Sequence, residues 1–258
     1  WSTGTFPAEK LKAHTASIYK KGDPKDQGNY RPISLLDSLY KVYASLLQTR
    51  IAETVDRALM KTQYGFRKSR STVIPLACIR RICERAESSN EELHLVFLDW
   101  AKAFDKVLHE ELFWALDNLA FPPQYINAVR ALYSDPKFAV KIQGTCSDWH
   151  TQHRGIRQGC PLSPYLFICL MHVLFEEIHD DAHMTKSQLD GLDFSELAYA
   201  DDTALITKNI RAMNRFLNLI ETRANRYGLH FNKSKCVSIP FNSNARPKFS
   251  DGSAVPRV

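Results

Sequence analysis

Apolar and polar residues follow one another along this chain at spacings that predict a mixture of helices and short strands. Helical spacing covers four stretches, at residues 35–58, 73–86, 104–119 and 209–227. A fifth stretch, residues 165–178, is apolar on nearly all sides, which is typical of a helix in the centre of a core. Short apolar runs predict strands at residues 93–99, 138–142, 197–200, 203–206 and 237–239. The outline is an α+β fold with a mostly antiparallel sheet.

Gly, Pro and small polar residues mark the connecting segments. Residues 18–33 are rich in Lys, Gly, Asp, Pro and Asn, which predicts a hairpin or a loop. Arg154 to Pro164 is a loop that contains two glycines, and Ser163 followed by Pro164 is typical of the start of a helix. From Pro240 onward the Pro, Ser, Asn and Arg content predicts a loose tail.

The composition, 44% apolar and 24% charged over 258 residues, is that of a globular chain and argues against wholesale disorder. The longest apolar run, Tyr165 to Phe175, contains His172 and is too short to span a bilayer, so we expect no membrane partner. The six cysteines form no Cys-x-x-Cys pair, which favours buried thiols in a reducing compartment over structural zinc. We therefore expect an intracellular protein, in the nucleus or the cytoplasm. Because the chain opens at Trp1 instead of Met, we expect a fragment, a processed product or an excised domain.

The net charge of +6 is unevenly distributed along the chain. Residues 1–83 carry 15 Lys and Arg against 6 Asp and Glu, and residues 208–258 carry 10 against 2. The centre, residues 84–207, carries 9 against 20. One interpretation is an ordinary uneven surface. The other is a polyanion that is bound by the basic flanks while central carboxylates hold metal ions.

Three carboxylates are placed where metal chemistry would need them. Asp99 ends a predicted buried strand, and Asp201 and Asp202 form the tip of a predicted hairpin. If those strands are neighbours, the carboxylates meet and repel one another. Two Mg²⁺ ions about 3.5–4 Å apart would relieve the repulsion, with Mn²⁺ as a possible substitute. The alternative is that Asp99 caps the following helix and that the pair is an ordinary acidic turn.

Basic residues near the start of the chain are candidates for binding phosphates and bases. Lys20 and Arg31 bracket the predicted hairpin and are suited to the triphosphate of a nucleotide. Residues 61–83 carry six Lys and Arg and no acid, with aromatic residues interleaved, which suits contact with a nucleic-acid backbone and stacking on its bases. The candidates there are Tyr64, Phe66, Arg67, Lys68 and Arg70. A solvated basic face is the alternative.

Taken together and in order, these segments resemble the reverse transcriptases of non-LTR (LINE-like) retrotransposons and of group II introns. The resemblance runs from about Ile18 to Cys236 and rests on six motifs in the family's order. They are Asn29–Ser34, Gln63–Arg67, Asp99 with Ala103–Asp105, Arg154–Pro164, Tyr199–Asp202, and Gly228–Leu229 with Asn232 and Lys235.

The resemblance implies a right-hand polymerase fold of fingers and palm, with an antiparallel palm sheet. Fingers would cover residues 1–92, the palm residues 93–239, and the loose tail residues 240–258. The stretch after Cys236 is too short for a helical thumb, so we expect the thumb or flanking domains to belong to a longer polyprotein.

The resemblance also implies the role of individual residues. Asp99 and Asp201 would bind the metal ions, with Asp202 beside them, and Arg31 would contact the triphosphate with help from Lys20. Gln158 and Gly159 would line the nucleotide pocket, and Phe104 would exclude a ribose 2′-hydroxyl and so favour dNTPs. Lys235 would act as general acid near the pyrophosphate, although Lys233 is close to it in the sequence.

The function that follows is an RNA-directed DNA polymerase that uses an RNA template, a DNA or RNA primer and dNTPs in two-metal phosphoryl transfer. One alternative is a non-catalytic RNA-binding scaffold of polymerase-like fold, or an inert truncated fragment. A nearer alternative is the reverse transcriptase region of a group II intron maturase.

Overall fold

A computed structural model of the chain describes residues 4–180 and 192–258. Its helices are α1 (Ser38–Val55), α2 (Val73–Ser89), α3 (Ala103–Lys106), α4 (His109–Asn118), α5 (Pro123–Leu132), α6 (Ser163–His179) and α7 (Ile210–Arg226). Its strands are β1 (Lys12–Tyr19), β2 (Tyr30–Leu35), β3 (Leu93–Leu98), β4 (Lys137–Ile142), β5 (Thr145–Cys146), β6 (His150–Thr151), β7 (Glu196–Tyr199), β8 (Asp202–Thr207) and β9 (Val237–Phe241). The mixed α and β content agrees with the predicted class.

The chain forms two compact units. Among the described residues, unit 1 contains residues 4–58 and 104–167, and unit 2 contains those within 59–103 and 168–258. Each unit is therefore made of two separate stretches of the chain. The predicted fingers and palm ranges, residues 1–92 and 93–239, stay predictions; residues 1–3 and 181–191 of these ranges lie outside the described residues.

Unit 1 is built around a sheet in which β2, β1, β4 and β5 follow one another and β6 also pairs with β4. The predicted hairpin is present, because β1 and β2 are antiparallel with Ile18 opposite Arg31. In contrast, β1 and β4 run parallel. Helices α1 and α5 belong to the same unit, and the inward face of α1 is fully buried at Tyr40, Ala44, Leu47 and Ile51.

Unit 2 is built around a sheet of order β7, β8, β3, β9, in which every neighbouring pair is antiparallel. Strand β3 is central and buried almost throughout, as its continuous apolar run predicts. Asn209 caps the start of helix α7, because its side chain accepts a hydrogen bond from the Ala212 amide, and the helix buries one apolar face. From Ile168 to Phe175 every α6 residue is buried, as expected for a central helix. No helix within the described part of the chain is long and apolar enough to cross a membrane.

One predicted helix is interrupted in the structure. The apolar spacing over residues 104–119 continues without a break, but the helix stops after Lys106 and restarts at His109. The Phe104 carbonyl accepts from the Ile156 amide and the Val107 carbonyl accepts from the Gly155 amide, both at 2.7 Å. These bonds divert backbone groups to the 154–164 loop and so end α3.

The expectation of a loose tail from residue 240 was wrong. Strand β9 continues to Phe241, and the side chains of Phe249 and Val255 are buried. The Lys248 amide donates to the side chain of Asn214 and the Ser250 amide to that of Glu221, which fixes the segment along α7. Two isolated apolar residues thus hold a segment whose composition is otherwise that of a loop.

Candidate active site

The three predicted carboxylates lie together in unit 2. Strand β3 pairs with β8 so that Leu98 is opposite Thr203, and one step further along this antiparallel register Asp99 comes beside Asp202. Tyr199 pairs with Asp202 across the hairpin of β7 and β8, so Ala200 and Asp201 form its tip. The sheet therefore brings together residues that are about a hundred positions apart in the sequence.

The charges of these side chains affect one another. Partial burial raises the pKa of Asp202, and the negative charges of Asp201 and Asp99 raise it further. Carboxylate oxygens are the ligands that Mg²⁺ and Mn²⁺ prefer, and a divalent cation would remove the repulsion, so the donor set fits such an ion. Within residues 4–180 and 192–258 there is nevertheless no formed cluster of three or more acidic, histidine or cysteine side chains around a common point.

The backbone of Asp99 is held by the segment of the sixth motif, which contains Asn232 and Lys235. The Asn232 amide donates to the Asp99 carbonyl at 2.7 Å. The Asp99 amide in turn donates to Cys236 Sγ at 3.4 Å. This segment also carries Lys233, which is half-buried, and Lys235, which is exposed.

The two candidate lysines differ in their partners. Lys233 Nζ lies 2.8 Å from carboxylate oxygens of both Glu221 and Asp251. Burial lowers the pKa of Lys233, but the hydrogen bonds to Asp251 and Glu221 outweigh it, so the net pKa is raised. The ammonium group of Lys233 is therefore bound inside unit 2. Of the pair, Lys235 is the one whose position leaves it open to solvent.

The segment Gln63–Arg70 also lies in unit 2, and its candidate residues have different surroundings. Phe66 and Lys68 are exposed, and Tyr64 is half-buried with the guanidinium of Arg70 5.4 Å from its ring centre. Arg67 is buried and donates to the carbonyls of Met60 and Gln63, a set of contacts within the protein. The prediction that Arg67 contacts nucleic acid therefore disagrees with its position, because its guanidinium is used to fold the segment.

The candidate phosphate-binding residues lie at one end of the unit 1 hairpin. Lys20 follows β1, and its amide donates to the Asn29 carbonyl at 2.8 Å. Arg31 lies in β2, opposite Ile18. Both side chains are exposed, so a basic, open hairpin end is present where the sequence predicts one.

The predicted nucleotide-pocket loop is fixed within unit 1 by main-chain contacts. The Ser34 amide donates to the Gln158 carbonyl at 2.7 Å. Gly159 has a φ of +110°, and a Cβ there would come within 2.7 Å of the Ser34 carbonyl oxygen, so only glycine fits without strain. Gln158 Nε2 donates to Asp105 Oδ1 at 3.0 Å, which orients the carboxamide.

Phe104 is half-buried in the same unit. Its ring stacks on that of Phe167, with ring centres 4.8 Å apart and an angle of 21° between the planes. The contact fixes one face of the Phe104 ring, which makes the side chain a rigid wall.

Three residues without an assigned role prove to hold these loops. Gln63 forms hydrogen bonds with the Ala200 backbone, Asp105 accepts a hydrogen bond from the Gln158 side chain, and Arg157 has the largest fully buried side chain among the residues that the structure describes. Gln63, Asp105 and Arg157 all lie inside the quoted motifs. A polar residue inside a motif is the only signal that the sequence offers for them.

Comparisons with known proteins identify the family of the chain. Residues 18–243 match the family described as reverse transcriptase (RNA-dependent DNA polymerase). Over 92% of its length the chain is 30% identical to the RNA-directed DNA polymerase from mobile element jockey of Drosophila melanogaster. It is 26% identical, over 95% of its length, to the retrovirus-related Pol polyprotein from type-1 retrotransposable element R2 of Nasonia vitripennis. It covers 26% and 23% of these relatives, about a quarter of their length.

The fold is also similar to that of a solved polymerase. Apo telomerase from Candida Tropicalis superposes with a TM-score of 0.66 at 14% identity, covering 96% of this chain and 46% of that one. A likeness at that identity establishes the polymerase fold, and the family match over most of the chain establishes the relationship. The chain belongs to the reverse transcriptase (RNA-dependent DNA polymerase) family.

Proposed function

We propose that this chain is the fingers and palm core of an RNA-directed DNA polymerase from a LINE-like element, which adds dNTPs to a primer 3′-hydroxyl. The observation that carries the proposal is the pairing of β3 with β8, which brings Asp99 beside Asp202 at the tip that also bears Asp201. Carboxylates collected in this way repel one another, and partial burial together with that repulsion raises the pKa of Asp202. A site of this charge suits a reaction in which cations meet phosphate oxygens.

Asp99 and Asp201 would hold the divalent cations, with Asp202 beside them. When bound, two Mg²⁺ ions supply activation of the attacking hydroxyl and stabilisation of the leaving pyrophosphate. The residues of the chain supply the rest: the sheet fixes the carboxylates before substrate arrives, so little reorganisation is needed during the reaction. The exposed Lys235 is the candidate to donate a proton to the pyrophosphate, since Lys233 is paired with Glu221 and Asp251.

Unit 1 would recognise the nucleotide. Arg31, with Lys20 beside it at the exposed hairpin end, would bind the triphosphate through charge-assisted hydrogen bonds. The main chain and side chain of Gln158 are both held, so this residue and Gly159 would offer a preformed wall of the pocket. Phe104, supported by Phe167, would occupy the space that a ribose 2′-hydroxyl needs and so favour dNTPs.

The nucleic-acid partners in this proposal are an RNA template and a DNA or RNA primer. Phe66 and Lys68 are exposed, and Tyr64 and Arg70 are half-exposed, so an aromatic and basic surface is present for stacking and phosphate contact. Such a protein would work in the nucleus or the cytoplasm.

The test is extension of a DNA primer on an RNA template with dNTPs, in Mg²⁺ or in EDTA. We expect extension that needs the metal and that falls at least about a thousandfold in Asp201→Asn, since a metal ligand is lost. Asp135→Asn is the matched control, because it removes an exposed carboxylate whose partner is Lys137.

Two outcomes would contradict the proposal. Equal extension by Asp201→Asn and the parent would show that this carboxylate is not part of the site. Folded protein that binds RNA in a salt-dependent way but extends no primer would favour the non-catalytic scaffold instead.

A further inference from the structure

The side chain of Gln63 is fully buried against the turn that carries Asp201. Its Oε1 accepts a hydrogen bond from the Ala200 amide at 2.8 Å, and its Nε2 donates to the Ala200 carbonyl at 3.2 Å. The same Oε1 accepts from the Gly65 amide at 2.7 Å. One carboxamide thus binds both backbone polar groups of the residue next to Asp201.

The backbone of Ala200 needs such support. Ala200 has a φ of +59°, in the left-handed region that a residue with a Cβ rarely adopts. A conformation of this kind persists where the surrounding structure fixes it from several sides. The two hydrogen bonds from Gln63 fix the amide and the carbonyl of Ala200, so they hold the turn in this conformation.

The segment that carries Gln63 is itself held against β7 at the base of the turn. The Tyr64 amide donates to the Ala198 carbonyl at 2.8 Å, and the Ala198 amide donates to the Thr62 carbonyl at 2.9 Å. Gly65 lies so close that a Cβ there would be 2.1 Å from the Ala200 nitrogen. Gln63 therefore has little freedom to leave the turn, and the turn has little freedom to move away from it.

Few side chains other than glutamine can make these three bonds from this position. Glutamate keeps an oxygen for the two amides but, when ionised, has no proton to donate to the Ala200 carbonyl. Methionine has nearly the same length and fills the space without a strong donor or acceptor. The series Gln, Glu and Met thus removes the hydrogen bonds in steps while the volume changes little.

We propose that Gln63 is a positioning residue for the carboxylates, acting through Ala200 to fix the direction in which the turn presents Asp201 and Asp202. The local part of this inference, that Gln63 orders the turn, concerns the protein alone. Its consequence for the reaction rests on the proposed polymerase function.

The experiment compares the parent chain with Gln63→Met and Gln63→Glu, and uses Thr62→Val as a control. Thr62→Val removes a buried hydrogen bond from the same segment, the one from Thr62 Oγ1 to Glu196, without touching the turn. Amide hydrogen exchange at Ala200 is followed by NMR, and kcat for primer extension and affinity for RNA are measured in parallel.

We expect exchange at Ala200 to be about 10- to 100-fold faster in Gln63→Met, the size expected for lost buried hydrogen bonds, while amides of β3 change little. Gln63→Glu should restore part of the protection, because its oxygen can still accept from Ala200. Primer extension should follow the same order, with kcat about tenfold lower or more in Gln63→Met and RNA affinity within about twofold of the parent. Thr62→Val should keep both the Ala200 protection and kcat.

Several outcomes would overturn the inference. Unchanged exchange at Ala200 in Gln63→Met would show that the carboxamide does not order the turn, and lost protection with unchanged kcat would show that the order is not used. If Gln63→Met does not fold, Gln63→Glu carries the comparison, and exchange and kcat equal to those of the parent in Gln63→Glu would contradict the role of Gln63. Changes in Thr62→Val as large as those in the Gln63 variant would show that the effect is not specific to Gln63. A parent chain that extends no primer would refute the polymerase proposal while the exchange measurement still decides the role of Gln63.

Discussion

The turn Ala200–Asp201 of unit 2 and the loop Arg154–Pro164 of unit 1 are each held by a buried polar side chain, and the two side chains differ in charge. Gln63 is neutral, and its carboxamide makes three hydrogen bonds to backbone groups. Arg157 is 2% exposed, and its guanidinium donates to the carbonyls of Leu11 and Lys137 and lies 5.3 Å from the ring centre of Tyr40.

The difference in charge between Gln63 and Arg157 agrees with the surroundings of each loop. A carboxamide holds the turn in unit 2 without adding a positive charge beside the carboxylates that the proposed function assigns to metal ions. A buried guanidinium in unit 1 is costly to desolvate, and carbonyl oxygens and an aromatic face offset that cost without a carboxylate. Within the described residues Arg157 Nη1 has no hydrogen-bond partner, so the compensation is incomplete. We therefore expect changes at Gln63 to act mainly on the reaction and changes at Arg157 mainly on stability.

The largest expected effect on stability is that of Arg157→Met. The substitution leaves the Leu11 and Lys137 carbonyls and the Gln152 side chain without this donor, at a cost of about 4 kcal/mol in the free energy of unfolding. Urea unfolding followed by circular dichroism measures it. Arg130→Met is the control, because Arg130 is half-exposed and pairs with Glu110 at the surface, where we expect a loss of about 1 kcal/mol or less. Equal losses in the two variants would contradict the anchoring role of Arg157.

Two glycines allow the same comparison of the two loops, with expected effects on stability of intermediate size. Gly65→Ala places a methyl group 2.1 Å from the Ala200 nitrogen, and Gly159→Ala places one 2.7 Å from the Ser34 carbonyl at a φ of +110°. Each should cost about 2–3 kcal/mol of stability through overpacking or strain. Their kinetic effects should differ, because Gly65 supports the carboxylates and Gly159 belongs to the proposed nucleotide pocket.

We expect kcat to fall about tenfold in Gly65→Ala and the KM for dNTP to rise about tenfold in Gly159→Ala, as measured by steady-state primer extension. Gly252→Ala is the control for backbone strain alone, since Gly252 has a φ of +82° with open space around it, and it should cost about 1 kcal/mol without a kinetic effect. The same kinetic defect in both test variants would remove the distinction between the two loops.

The carboxylate arrangement was the part of the site that the sequence could predict. Residues 93–98 are a continuous apolar run, and short apolar runs flank Asp201 and Asp202, so strands were expected on both sides of the acidic residues. Adjacent strands then put the acidic residues together, as β3 and β8 do.

The contacts that hold the loops could not be predicted in the same way. Gln63 and Ala200 are 137 positions apart, and no periodicity relates a buried carboxamide to a distant backbone. The break between α3 and α4 is similar, because the apolar spacing continues while tertiary hydrogen bonds from Gly155 and Ile156 end the helix. Local patterns thus specify elements, whereas the fine placement of loops depends on polar contacts between distant segments.

The smallest expected effect is a pH dependence within unit 2, caused by His172 on α6. Burial, together with the positive charges of Arg67 and His179, lowers the pKa of His172 to about 4. Glu176 lies 3.3 Å from the ring, but its side chain is largely exposed and its attraction is screened. His172 Nδ1 accepts a hydrogen bond from the Met60 amide, which requires that nitrogen to be unprotonated.

His172 should therefore make unit 2 less stable in acid, and His179 should act in the opposite direction. A histidine whose folded pKa is lowered stabilises the protein above its unfolded pKa of about 6.5, and that contribution is lost as the pH falls toward 4. The hydrogen bond that His179 Nε2 donates to the Glu196 carboxylate raises the pKa of His179, so the contribution of His179 is present at low pH and is lost as the pH rises through the raised value. In His172→Asn the side-chain oxygen can still accept from the Met60 amide. Urea unfolding at pH 7 and pH 5 should show that this variant loses about 1 kcal/mol less of the free energy of unfolding on acidification than the parent. His179→Asn should increase the loss, and a parent-like pH response in both variants would show that other groups set it.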